Sequence, residues 1–324
     1  MTKVCVIGAG AWGSALACVA ARARHETIIW GRSEATVDEI NTSNTNTHYL
    51  DALKLEQSII ATTDISKAVS GSDLVLLSIP TQTLSSRLDE IAQHVGDAIL
   101  VTCCKGIDKQ TGKLPTELVS NAFSNNSIGV LSGPSFATDV VSNLPTAVTV
   151  ASASEGAADI LAGFLSTDTF RCYASTDIKG VELGGALKNV LALAVGAARG
   201  MKLGASAEAA LMARGFAELQ RLAITLGAKP ETLVGLSGFG DLVLTCSSSQ
   251  SRNFSYGMAM GEGKSLDGLK LAEGAHTAGV ALKIADENKI DVPIIGAIVN
   301  VLEKKTTARE AVHSLLTRPL KREA

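Results

Sequence analysis

At 324 residues the chain is long enough for about two domains. Its 46% hydrophobic and 19% charged residues exclude general disorder. A net charge of −3 and a pI near 6.0 exclude non-specific nucleic-acid or anionic-membrane binding as its main task. Aromatics are only 4% and glycines number 30, a balance suited to close helix–sheet packing and backbone-lined ligand sites.

In chain order, short apolar runs alternate with helical patterns: Lys3–Ile7, Thr27–Trp30, Ser58–Ala61, Asp73–Ile79, Ala98–Cys104, Ser127–Leu131 and Thr146–Ala151 are the strand candidates. Several are continuously apolar, as expected where helices cover both faces of a parallel sheet. Between them the periodicity predicts helices over Ser14–Arg22, Glu34–Asn41, Leu84–His94 and Pro115–Ala122. The expectation is an α/β chain whose N-terminal part, residues 1–180, is a Rossmann-type doubly wound sheet. From Asp177 long helical patterns take over: Asp177–Arg199, Ala205–Leu226, Thr277–Asn288, Ile294–Glu303 and Ala308–Leu316. Residues 181–324 are therefore expected to form an all-helical substrate and dimerisation domain, with a Gly/Ser-rich loop over Ser237–Asn253. Asn41–Thr47, an Asn/Thr tract, reads as a polar surface loop.

The first strand runs into Gly8-Ala9-Gly10-Ala11-Trp12-Gly13, a GxGxxG pattern. Gly8 suits a tight turn, Gly10 admits a pyrophosphate close to the backbone, and Gly13 allows close helix–strand contact. The helix opening near Trp12 offers free N–H groups and a positive dipole end, so a dinucleotide cofactor is expected. After the second strand the chain places Gly31 and Arg32 where an NAD site usually has an acidic ribose ligand. That guanidinium reads either as a clamp for a 2′-phosphate, favouring NADPH over NADH, or as a solvated loop arginine.

Lys105 follows a strand, at the sheet edge where open α/β folds bind ligands, and is either a phosphate or carbonyl contact or a surface lysine. Ser135, in Ser132-Gly133-Pro134-Ser135, is either a ligand contact or an N-cap. Lys188 is the sharpest anomaly: between Leu183 and Ala198 only it and Asn189 are strongly polar. Burial would lower its pKa into the range of an acid–base catalyst, while the bland alternative is a snorkelling side chain. In the second half, Asp241 sits in a glycine-rich turn, and Ser251-Arg252-Asn253 combines hydroxyl, guanidinium and amide in a way that suits a phosphate. Glu273, before the Thr277 helix, either approaches the nicotinamide amide or caps that helix.

The cysteines (Cys5, Cys18, Cys103, Cys104, Cys172, Cys246) show no CxxC pair and no zinc-like spacing, so no metal is expected and reduced thiols fit a cytoplasmic enzyme. The N-terminus goes straight into a strand without signal-peptide features. No membrane insertion is expected either, since Lys188 and Asn189 interrupt the longest apolar stretch. From the residues alone, a β-hydroxyacid dehydrogenase of similar plan and an idle dinucleotide-binding sensor remain as rivals.

Taken together, GAGAWGSALA at the start, CCKGI at 103–107, SGPSFA at 132–137, GVELGGALKNVLALAVG at 180–196, GLSGFGDLVLTCSSSQSRN at 235–253 and AEGAHTA at 272–278 resemble the prokaryotic NAD(P)-dependent glycerol-3-phosphate dehydrogenases. The resemblance is colinear over almost the whole chain. It implies reversible reduction of dihydroxyacetone phosphate to sn-glycerol 3-phosphate, feeding phospholipid synthesis. It also implies Lys188 as proton acceptor and donor. Lys105, Gly133, Ser135, Lys188, Asp241, Ser251, Arg252 and Asn253 would contact substrate. Gly8, Gly10, Ala11, Trp12, Gly13, Arg32, Lys105, Ala137, Arg252, Leu271 and Glu273 would contact NADP or NAD. After His48-Tyr49-Leu50 the chain has Asp51-Ala52-Leu53 where the family often has a Pro-Gly turn. A homodimer through the helical domain is the default expectation.

Overall fold

The computed structural model describes residues 2–266, 269 and 272–319. Strands β1 (Lys3–Ile7), β2 (Glu26–Trp30), β3 (Ile60–Thr62), β4 (Leu74–Leu77), β5 (Ile99–Thr102), β6 (Ile128–Ser132), β7 (Thr146–Ser152) and β8 (Phe170–Ser175) form one sheet in the order β3-β2-β1-β4-β5-β6-β7-β8. The first six are parallel, and β7 pairs antiparallel with β6 and parallel with β8. Strand order reverses between β1 and β4, which is where doubly wound sheets open a ligand crevice. Val4–Ile7 and Leu74–Leu77 are fully buried, because helices cover both faces of the sheet. These are α1 (Ala11–Arg22), α2 (Glu34–Ser43), α3 (Thr47–Leu50), α4 (Ile65–Val69), α5 (Thr81–Ala92), α6 (Pro115–Ala122), α7 (Ala137–Val141) and α8 (Glu155–Leu165).

The helical part begins with α9 (Ile178–Gly200), which is buried from Gly180 to Ala198. Around it lie α10 (Ala205–Thr225), α11 (Pro230–Leu233), a π-helical turn at Leu236–Gly240, α12 (Asp241–Ser247), α13 (Arg252–Gly261), α14 (Glu273–Glu287), α15 (Pro293–Leu302) and α16 (Ala308–Leu316). By length and apolarity α9 could cross a bilayer, yet its stretch from Gly180 to Ala198 is surrounded by protein. It also touches β6 and β7, and so joins the two parts of the molecule.

Helices α9 and α13 pack almost backbone to backbone. A methyl on Gly196 would strike the Phe254 carbonyl, one on Gly200 the Met258 carbonyl, one on Gly257 the Leu193 carbonyl and one on Gly261 the Ala197 carbonyl. Gly257→Ala is therefore expected to destabilise by about 1–3 kcal/mol or more. Gly163→Ala, at an exposed site in α8 where a methyl meets nothing within 4 Å, should instead stabilise by about 1 kcal/mol. Thermal melting of the two variants checks this, and equal shifts would show that α9 and α13 can move apart freely.

Four expectations need correction. The segment over Ser237–Asn253 is mostly π-turn, α12 and the start of α13, with only residues 248–251 left as a connecting loop. The Asn41–Thr47 tract is only partly a solvated loop: its exposed start belongs to α2, Asn44 closes that helix in the left-handed region (φ 52°), and Thr45 and Asn46 are buried while Thr47 is exposed. The helix expected over Thr277–Asn288 starts at Glu273, with Ala272 as its N-cap residue. β8 and α8 complete the sheet part although the sequence reading assigned neither. Where the family often has a Pro-Gly turn, Asp51 takes φ 50°.

Candidate active site

The GxGxxG turn is built as its glycines require. Gly8 has φ 121°, and a side chain there would press on Ser78 at the end of β4. At Gly13 a methyl would overlap the Gly8 carbonyl, whereas at Gly10 it would meet nothing within 4 Å. Gly10 is the N-cap residue of α1, so no side chain caps the helix, and no acidic residue lies in its first turn with Ala11 and Trp12. The first N–H groups of α1 and the positive end of its dipole are therefore left without a side-chain partner. The buried Trp12 Nε1 has no partner among the described residues. An uncapped helix end and an orphaned indole donor fit a phosphate-bearing dinucleotide. Arg32 lies exposed just beyond β2, and Ser33, next to it, caps α2 through Thr36 N. Ala137 opens α7, which packs against α1.

At the carboxyl edge of the sheet, Lys105 of the sheet part meets Asp241 and Lys188 of the helical part. Lys105, three residues past β5, donates to Asp241 Oδ2 at 2.6 Å and to the Gly133 carbonyl at 3.3 Å. Lys188 donates to Asp241 Oδ1 at 2.7 Å and to the Thr245 hydroxyl. Two lysines thus share one aspartate that is 1% exposed. Glycines in α9 let neighbouring segments approach closely: a side chain at Gly185 would overlap Ser132 Oγ, and one at Gly184 would press on Ser237 and Gly238. Asp241 is aimed by the π-turn that leads directly into α12.

Electrostatics follow from that burial. Desolvation pulls Lys188 down to about 8, against the upward pull of Asp241 and assisted by the like charge of Lys105. For Asp241, burial favours the neutral acid, but Lys105 and Lys188 more than offset it and its pKa is lowered. The cluster therefore carries Lys⁺–Asp⁻–Lys⁺, a net positive charge in a dry place. Snorkelling is excluded for Lys188, which is 6% exposed. An ammonium has three donors, and Asp241 and Thr245 occupy two of those on Lys188.

The other expected residues take the following places. Glu273 opens α14; burial pushes its carboxyl up, against the pull of Arg252, Lys105 and Lys188. Ser251 is buried and caps α13 by accepting from Phe254 N at 3.3 Å. Arg252 is the exposed first residue of that helix, and Asn253 Oδ1 accepts from Gly274 N at 2.9 Å, tying α13 to α14. Gly133 (φ 157°) lies on the Val148 backbone, and its carbonyl also accepts from Ser135 at 3.0 Å. Ser135 is not an N-cap: Phe136 holds that position on α7, with no side-chain cap. Leu271 lies outside the described residues.

Two participants were not singled out from the sequence. Thr245 accepts the second hydrogen bond of the Lys188 ammonium; its spacing of four from Asp241 on one helix was the available signal. Glu182, wholly buried on α9, accepts from Thr116 N at 2.9 Å and from the Thr116 and Thr102 hydroxyls, joining α9 to α6 and β5. Burial raises its pKa to about 7.

A dinucleotide turn at the switch point, together with a chain in which Lys105 of the sheet part meets Asp241 and Lys188 of the helical part, defines a two-domain nicotinamide-dependent dehydrogenase. The chain matches the models for the N-terminal part of NAD-dependent glycerol-3-phosphate dehydrogenase over residues 3–158 and for its C-terminal part over residues 177–313. It is 51% identical over 323 residues to "Glycerol-3-phosphate dehydrogenase [NAD(P)+]" of Brucella canis, covering 99% of both chains. With the protein of the same name from Mesorhizobium japonicum it shares 50% identity over 322 residues, 99% of this chain and 94% of that one. The crystal structure of glycerol-3-phosphate dehydrogenase from Coxiella burnetii superposes with a TM-score of 0.93 at 34% identity, covering 98% of this chain and 99% of that one. The chain belongs to the NAD-dependent glycerol-3-phosphate dehydrogenase family and is an NAD(P)-dependent oxidoreductase. That sets aside the β-hydroxyacid dehydrogenase and the idle sensor.

Proposed function

We propose that this enzyme reduces dihydroxyacetone phosphate to sn-glycerol 3-phosphate, reversibly, with Lys188 as its acid–base group. The observation that carries the assignment is the buried Lys105–Asp241–Lys188 chain at the ligand edge of the sheet. Gly8, Gly10, Ala11, Trp12 and Gly13 would hold the cofactor pyrophosphate, Arg32 its adenosine end, and Ala137, Arg252, Leu271 and Glu273 would complete its surroundings. When bound, the reduced nicotinamide supplies the hydride for the carbonyl carbon. Lys188 gives its remaining proton to the substrate oxygen, and in the reverse direction its neutral amine takes that proton back. Lys105 and Lys188 hold positive charge where the oxygen turns negative, preorganised by Asp241 before substrate arrives. The α13 N-terminus suits the substrate phosphate: Ser251 keeps a hydroxyl proton to donate, Asn253 keeps its amide protons, and Arg252 adds charge. Gly133 and Ser135 would border the same pocket. Because that phosphate is remote from the reacting carbon, its binding orients the carbonyl.

Loss of absorbance at the reduced-cofactor band on adding dihydroxyacetone phosphate tests the reading. No loss with NADH or NADPH would overturn it. We further assign residues 1–180 to cofactor binding and residues 181–324 to substrate binding and homodimer formation. The six free cysteines support a reducing, cytoplasmic setting, and the product supports a role in supplying glycerophospholipid synthesis.

NADPH is the favoured cofactor because Arg32 stands where an acidic ribose ligand would otherwise repel a 2′-phosphate. Arg32→Ala should lower kcat/KM for NADPH by roughly 10-fold or more and leave NADH little changed. Comparison of both cofactors before and after the change checks this. An equal loss for both would make stacking on adenine the role of Arg32.

A further inference from the structure

Asn46 is 0% exposed. Its Nδ2 donates to the Ala9 carbonyl at 3.0 Å and to the Ser14 hydroxyl at 2.9 Å. Ala9 is the middle residue of the Gly8-Ala9-Gly10 turn, and Ser14 lies one turn into α1. A carbonyl only accepts, so the donor end of the amide must face the turn. Oδ1 is then left buried without a partner among the described residues, a penalty an apolar side chain would avoid. The two donated bonds are thus what an amide contributes at this dry position. Its own backbone is clamped as well: Glu39 Oε1 accepts from Thr45 Oγ1 and Thr47 N, each at 2.8 Å, on either side of it.

Every described peptide bond is free of cis geometry, and across a trans peptide the C=O and the following N–H point in opposite directions. Drawing the Ala9 carbonyl toward Asn46 therefore turns the Gly10 N–H away from it, at a residue bordered by open space. We propose that Asn46 is a positioning residue for cofactor binding: from the crossover after α2 it holds the Gly8–Gly10 turn so that the Gly10 N–H is presented to a pyrophosphate. The proposal rests on the reading that this turn cradles the pyrophosphate.

Calorimetric titration with two probes tests it: 2′-phospho-ADP-ribose, which carries the pyrophosphate, and adenosine 2′-phosphate, which does not. In Asn46→Asp and Asn46→Ala the Kd of the first probe should rise by ~10-fold or more, the size of a hydrogen bond to a charged group. The second probe should bind within about twofold of the parent. In turnover the KM for NADPH should rise while kcat at saturating NADPH and the KM for dihydroxyacetone phosphate hold. Asn46→Asp keeps the side-chain shape, which covers the case in which Asn46→Ala does not fold. Equal losses for both probes, or no loss for either, would overturn the proposal. A parent protein that binds both probes equally would instead overturn the underlying pyrophosphate reading.

Discussion

Replacing Lys188 by alanine is expected to lower turnover by at least ~100-fold, the low end for general acid–base catalysis, while the chain still folds and binds cofactor. Folding should survive because Asp241 keeps Lys105 as a partner at 2.6 Å and is not left as an unpaired buried charge. A pH profile adds a second reading. With Lys188 at about 8, the ammonium needed for reduction is lost as pH rises through that value, so reduction falls there. Oxidation of glycerol 3-phosphate needs the neutral amine and should rise over the same range. Because Asp241 holds the Lys188 pKa up, Asp241→Asn should move both limbs to lower pH. Near-normal turnover of Lys188→Ala, or a profile that ignores Asp241, would remove Lys188 from the chemistry.

Arg252→Ala carries the second large effect. Loss of a charge-assisted phosphate contact of about 1.5–3 kcal/mol should raise the KM for dihydroxyacetone phosphate by roughly 10- to 100-fold. Unphosphorylated dihydroxyacetone should be a poor substrate of the parent and nearly indifferent to the change, since it has no phosphate to lose. Because Arg252 also lies among the groups that act on Glu273, cofactor affinity should be measured alongside. Equal losses for the two substrates would make the start of α13 a structural element and not a phosphate grip.

What the order of residues determined by itself was mostly local. The glycines of the first turn announce their backbone demands, and continuous apolar runs announce strands covered on both faces. A lysine inside an apolar helix announces a perturbed group. Other features were present in the sequence as weaker signals. Gly196 and Gly200 on α9 and Gly257 and Gly261 on α13 share a four-residue spacing, which marks a close helix crossing only once the two are paired. In β8, Phe170, Cys172 and Ala174 alternate with Arg171, Tyr173 and Ser175, but only Phe170 is deeply buried, so this edge strand has a faint pattern. In α8, Gly156 and Gly163 dilute the helical signal that Ser154 begins.

Tertiary structure alone decided the partnerships. Nothing near Lys188 in sequence says that Asp241, 53 residues on, and Lys105 will share its charge. Nor does an Asn/Thr tract reveal which amide will be buried against Ala9. α13 is helical despite its glycines because α9 offers backbone for it to rest on, and packing overrides propensity there. Periodicity and turn chemistry are short-range and so are legible along the chain. Desolvation and ion pairing depend on which distant surfaces meet, and only the folded sheet edge brings Lys105, Lys188 and Asp241 together out of water.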